Sequence, residues 1–136
     1  MYATFEHTAD IGLRIRAPDL KGLFEDAGRA LFSVMAANLD GVRPVQAVTL
    51  EVQGTERDAL LRDWLGELLY TFHTRHVILA RFDVQLHDSG LTATAWGEPI
   101  DLQRHELDVE VKAVTWHGLM LRQDSDGWLA ELILDI

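Results

Sequence analysis

Two hydrophobic periodicities share this chain, and the points where one gives way to the other constrain its fold more than any other feature. In "IGLRIRA", Ile11, Leu13, Ile15 and Ala17 alternate with Gly12, Arg14 and Arg16, the period of two expected of a half-buried strand. Pro18 and Asp19 then open a segment in which Leu20, Leu23, Phe24, Ala27, Leu31, Val34 and Met35 recur at helical spacing, with Asp19 as the N-cap. "VTLEV" returns to period two through Val48, Leu50 and Val52, and Gly54 ends it. Thr55 and Asp58 resemble a capping box with Asp in the Glu position, and Leu61, Trp64, Leu65, Leu68, Leu69 and Phe72 follow as one broad stripe. That stripe predicts a second helix facing the core.

The remainder reads as strands. "YATFEH" is a short partner for the first of them. "RFDVQLH" alternates Phe82, Val84 and Leu86 against polar neighbours, and "DSG" turns it into "LTATAW" as a hairpin. "GEPIDLQRHEL" is an irregular connection, and "QDSDG" joins two longer strands, Val109 to Arg122 and Trp128 to Asp135. The order ββαβαββ…ββ predicts an α+β fold, two helices packed on a mostly antiparallel sheet, in a single domain over 1–136. A chain of that length buries roughly two-thirds of its unfolded surface.

Charge narrows the class of partner. With 22 acidic residues against 12 basic ones and a net charge of −10, the surface is unsuited to gripping nucleic acid by phosphate neutralisation, so no stable nucleic-acid binding is expected. Basic protein partners or cations suit it better. The absence of cysteine removes disulfides, thiolate metal sites and cysteine nucleophiles together. "MYATFEHTAD" lacks a basic and then apolar leader, and no apolar run approaches the ~20 residues of a membrane span. The expectation is a soluble, cytoplasmic protein without a membrane partner.

No catalytic set emerges, and the chain does not read as an enzyme. His73 and His76 stand three apart near a helix end, without the glutamate of a metalloprotease motif; a solvated helix terminus explains them. No serine occupies a nucleophile elbow and no glycine-rich phosphate loop occurs. Glu98, Asp101 and Glu106 share one connection, where acidic side chains in so acidic a chain are ordinarily solvated.

The two chain ends are more informative. Asp10 stands between two strand candidates, while Asp135 shares strand parity with Leu129 and Ile133 and precedes the free carboxylate of Ile136. A buried, unpaired carboxylate costs several kcal/mol and must be protonated, paired or metal-bound. A frayed, solvated terminus avoids that cost. From the residues alone both readings stand.

"HTADIGLRIRAPDLKGLFEDAGRALF", "LLRDWLGELLYTF", "RHELDVEVKAVTWHGL" and the closing "LDI", taken in this order across nearly the whole chain, resemble the archease family. The resemblance implies a small cytoplasmic, non-enzymatic cofactor of the GTP-dependent, RtcB-type RNA ligase, promoting its guanylylation and multiple turnover in tRNA splicing and RNA repair. It also implies a divalent cation, usually assigned as calcium, on Asp10, Asp135 and the carboxylate of Ile136, which suits a hard ion that takes about six to eight oxygens. Glu6 or His7 would assist or be structural. His7, Lys112, Arg104 and His105 are candidate partner contacts; by parity Lys112 faces away from Val109, Val111 and Ala113, whereas His117 falls on the apolar side, as a core histidine would. One departure is the short "ELDV" between "RH" and "EVKAV", without the glycine and proline associated with this region. A general chaperone or binding module, and a metal-dependent hydrolase using Asp10 and Asp135, are the alternatives.

Overall fold

A computed structural model of the chain describes every residue except Thr8 and Ala9, and describes Glu6 and His7 by their backbone alone. Its elements are β1 (Tyr2–His7), β2 (Asp10–Ala17), α1 (Leu20–Met35), β3 (Ala36–Ala37), a 3₁₀ turn (Leu39–Gly41), β4 (Gln46–Gln53), α2 (Arg57–Arg75), β5 (Val77–His87), β6 (Gly90–Pro99), β7 (Glu106–Leu107), β8 (Ala113–Val114), β9 (Met120–Asp124) and β10 (Gly127–Asp135). The fold is α+β as predicted, but the strands divide between two main sheets. One runs β1-β2-β10-β8, with β9 also on β10; the other runs β4-β6-β5; β3 and β7 form a small ribbon. All the pairings are antiparallel.

Helix α1 packs on both β2 and β5, bridging the two sheets, while α2 packs against α1, β4 and β8. The stripes predicted from spacing supply this core: Leu23, Phe24, Ala27 and Leu31 of α1, and Leu61, Trp64, Leu65 and Leu68 of α2, are fully shielded from solvent. Burying each large aliphatic side chain contributes roughly 1.5–3 kcal/mol. Trp64 also satisfies its polar atom, its indole N–H donating to the Phe24 carbonyl at 2.9 Å, as a buried indole must. Asp19 caps α1 as predicted, its carboxylate accepting from the Gly22 N–H at 2.7 Å.

Strand β2 shows why one of its positions has no side chain. A Cβ on Gly12 would stand 2.1 Å from Phe5 Cζ, because the Phe5 ring, opposite it in register, lies flat over that position. The Arg14 guanidinium sits 5.0 Å from the same ring, and Arg14 also pairs with Glu131 at 2.9 Å.

Three local expectations change. Helix α2 starts at Arg57 with Glu56 at its N-cap and no side-chain cap bond. Thr55 lies one residue too early to cap, and Asp58 accepts instead from the Ala59 N–H. The strand expected over 109–122 is broken into β8 and β9 by a turn in which Leu119 N–H reaches the Trp116 carbonyl and Gly118 takes a positive φ of 67°. Trp116 and His117 are thereby placed on the surface, so His117 is not a core histidine. Finally, β6 continues through Pro99, and the connection after it is tied down by β7 pairing with β3. No helix among the described residues is long and apolar enough to cross a membrane.

Candidate functional site at the paired chain ends

Antiparallel pairing of the first and last long strands brings the chain ends together. Asp10 is the first residue of β2 and Asp135 the last of β10, and the register sets them directly opposite one another. Directly opposed residues project to the same face with Cβ atoms roughly 4.5–5.5 Å apart. Their face is the one that carries Gly12 with Ile133 and Arg14 with Glu131, whereas Leu13 and Leu132, both at 0% exposure, point to the core. Asp10 and Asp135 are each half-buried. The same row continues sideways: the backbone of His7 pairs with Asp10, and Ala113 pairs with Asp135. Beside it, the Lys112 N–H donates to the Asp135 carbonyl at 2.8 Å.

Like charges directly across a strand pair oppose folding. Two directly opposed carboxylates at this sheet end are oxygen donors of the kind a hard cation takes. Among the described residues no group of three or more His, Cys, Asp or Glu side chains is arranged to hold a metal ion. Among the described residues, Asp10 and Asp135 therefore do not by themselves make up a metal-ligand set. The His7 side chain, named above as a candidate, lies outside the described residues, as do Thr8 and Ala9 of "HTAD".

Arg104 and His105 are placed elsewhere, around a carboxylate that sequence reasoning left in solvent. Glu98, at the end of β6, is only 3% exposed. Its Oε2 accepts from both the backbone N–H and the Nε of Arg43, each at 3.0 Å. Its Oε1 accepts from an Arg104 guanidinium N–H and from His105 Nε2. His105 Nδ1 accepts from the Asp101 N–H at 2.9 Å; a backbone amide can only donate, so Nδ1 is bare and the proton sits on Nε2, facing Glu98. Burial works to raise the Glu98 pKa, but the Arg43 side chain and backbone, then Arg104 and His105, outweigh it and bring the group from 4.5 to about 2. The cluster clamps the connection after β6 onto the segment after α1, and Arg104 also approaches the Gly41 carbonyl at 3.4 Å.

Lys112 is exposed, as parity indicated, although Ala113 is exposed as well because β8 begins only there. His73 is exposed on the last turn of α2, with Nε2 3.2 Å from the Val111 carbonyl, and His76 is the left-handed C-cap with φ 52°.

Fold and site together define a small α+β protein whose two ends meet as an acidic pair at one sheet end. Comparison with known sequences identifies its family: the profile described as the Archease protein family matches residues 2–136, and the chain belongs to that family. Proteins named "Protein archease" are 39% identical in Methanothermobacter thermautotrophicus, 36% in Pyrococcus abyssi and 34% in Methanopyrus kandleri. Each alignment covers 96–97% of this chain and 96% of the relative. The solution structure of Methanobacterium thermoautotrophicum protein 1598 superposes with a TM-score of 0.87 at 36% identity, covering 99% of this chain and 98% of that one. A Thermotoga maritima structure described as an archease, possible chaperone, shares the fold at a TM-score of 0.70 and 20% identity, over 100% and 98% of the two chains.

Proposed function

We propose that this protein is a non-enzymatic activator of an RtcB-type, GTP-dependent RNA ligase, acting by docking on that enzyme and promoting its guanylylation and multiple turnover in tRNA splicing or RNA repair. Whole-length membership of the archease family is the observation that carries this reading. The paired ends supply its second element: Asp10, Asp135 and the Ile136 carboxylate would hold a divalent cation, calcium in this proposal, that shapes the contact surface. When bound, such an ion neutralises the acidic pair. The chain's own part is to hold the two aspartates in register and to present the exposed Lys112 beside them.

The ligase of the same organism, incubated with labelled GTP, tests the reading. Guanylylated ligase should accumulate faster with this protein present, and sub-stoichiometric ligase should complete many joining cycles rather than one. The protein alone should neither join RNA ends nor hydrolyse GTP. Unchanged guanylylation and turnover across a range of protein concentrations would overturn the proposal. Suppression of aggregation of unrelated clients in the same preparation would favour a general chaperone instead.

A further inference from the structure

Adjoining the acidic pair through β8, whose Ala113 is in register with Asp135, the outer face of α2 and the start of β8 enclose a groove of about 300 Å³. Gly66 lies in its floor, in mid-helix, where glycine destabilises a helix relative to alanine. Nothing inside the chain asks for that glycine: a Cβ built on it meets no atom within 4 Å. The missing side chain thus leaves room on the outside. Leu69 and Val114 add apolar wall, and two large aromatics remain in solvent nearby, Tyr70 at 63% and Trp116 at 56% exposure. Exposed aromatics beside a pocket are the usual anchors of protein contacts.

The groove's rim has the opposite charge from the molecule as a whole. Arg62 and Lys112 line it, with His73, and no acidic side chain does so among the described residues, in a chain of net charge −10. The Arg62 guanidinium stacks over Trp116 at 4.9 Å and pairs with Asp63 at 3.2 Å. Its Nε is buried without a hydrogen-bond partner among the described residues. The buried Nε is out of reach of a ligand, but the Arg62 side chain is 32% exposed, so the terminal guanidinium nitrogens can donate to an incoming carboxylate.

We propose that this groove is a docking site for an acidic segment of a partner protein, which seats one leucine- or phenylalanine-sized side chain over Gly66 and sets its carboxylates against Arg62 and Lys112. At about 300 Å³ the space is at the lower limit of ligand pockets, roughly 300–1,000 Å³, and suits a side chain rather than a cofactor. The overall negative charge disfavours RNA as the occupant. The inference is independent of which enzyme the partner is.

Amide and methyl NMR spectra of the labelled protein, titrated with a peptide of two glutamates, leucine, phenylalanine and two glutamates, test it. Shifts should concentrate on Gly66, Leu69, Tyr70 and Val114. The charge-reversed peptide with lysines should bind at least about tenfold more weakly, by loss of complementarity. Gly66→Leu, which fills the floor, should lower affinity about tenfold or more, as blocking a central pocket does, while Gly66→Ala keeps the fold. Arg62→Glu should act in the same direction as Gly66→Leu. The proposal is overturned if the acidic peptide causes no shifts in the groove, if Gly66→Leu binds it like wild type, or if the lysine peptide binds equally well. It is also overturned if the same residues respond instead to oligouridine RNA or to protein concentration alone, which would assign the groove to nucleic acid or to a second copy.

Discussion

The chain handles carboxylates in two opposite ways. At the end of β6 it surrounds one acid, Glu98, with Arg43, Arg104 and His105. At the end of the β2–β10 pair it sets Asp10 against Asp135, acid against acid. The Glu98 cluster is an internal clamp whose cations come from the protein, and it stabilises without outside help. The paired ends carry two acidic side chains directly opposite each other, and under the proposed function a cation from solution would bind there. One region serves the fold, and the other is where the proposed function places a cation.

The largest effect that would break this contrast is expected at Glu98. Glu98→Gln removes the charge but keeps the shape, leaving two arginines facing an amide; Glu98 is buried, but Arg43 and Arg104 keep 63% and 38% of their side chains in solvent, which screens part of the loss. A fall in Tm of roughly 5 °C is expected for a chain of this size, read by calorimetry. A Tm within a degree or two of wild type would show that the cluster is no clamp.

Acid should produce the next effect, by the same group. Because the Glu98 pKa is lowered from 4.5 to about 2 in the folded state, its contribution is fully present above pH 4.5 and is lost as pH falls from there towards 2. Asp26 and Asp124 are also lowered. For Asp26, burial opposes the shift and the N-terminal ammonium and Arg29 prevail; for Asp124 the Asp126 N–H and Arg16 are the causes. Wild type should thus lose denaturant resistance between pH 5 and pH 3 more steeply than Glu98→Gln. Parallel acid limbs in the two proteins would place the acid sensitivity elsewhere.

At the paired ends the sign should reverse, and the effect should be the smallest. Without metal, Asp135→Asn removes one of two opposed charges and should leave stability unchanged or raised by a few tenths of a kcal/mol, the scale of a cross-strand pair. A clear loss of stability in chelator-treated Asp135→Asn would mean that this carboxylate already has the balancing charge it needs.

The two regions were also unequally legible in the sequence. Helices α1 and α2 and strands β2, β4, β5 and β6 could be read because each buries one face only, and a one-sided environment writes its period into the residues. The division into two sheets could not, since period shows which face is buried and not which strand lies alongside. The stretch 100–119 misled because its burial is set by distant partners: β7 is held by β3, and Val111 is buried while its neighbours are exposed. Glu98 looked solvated because its burial rests on Arg43, 55 residues away. Asp10 and Asp135 stood out as charges on strand ends, yet their direct opposition follows only from the register of β2 with β10. The groove over Gly66 had no sequence signal beyond a glycine in mid-helix.

Thermal unfolding with and without calcium tests the contrast most directly, using wild type, Asp135→Asn, and wild type extended beyond Ile136 so that its terminal carboxylate becomes an amide. An ion that binds only the folded state stabilises by mass action, about 2.7 kcal/mol at a hundredfold excess over Kd. Wild type, after chelator treatment, should gain Tm steadily as calcium is added. Asp135→Asn and the extended chain should start at or near the wild-type value and gain little. Equal calcium-dependent gains in all three proteins, or no gain in wild type, would contradict a cation site at the paired ends.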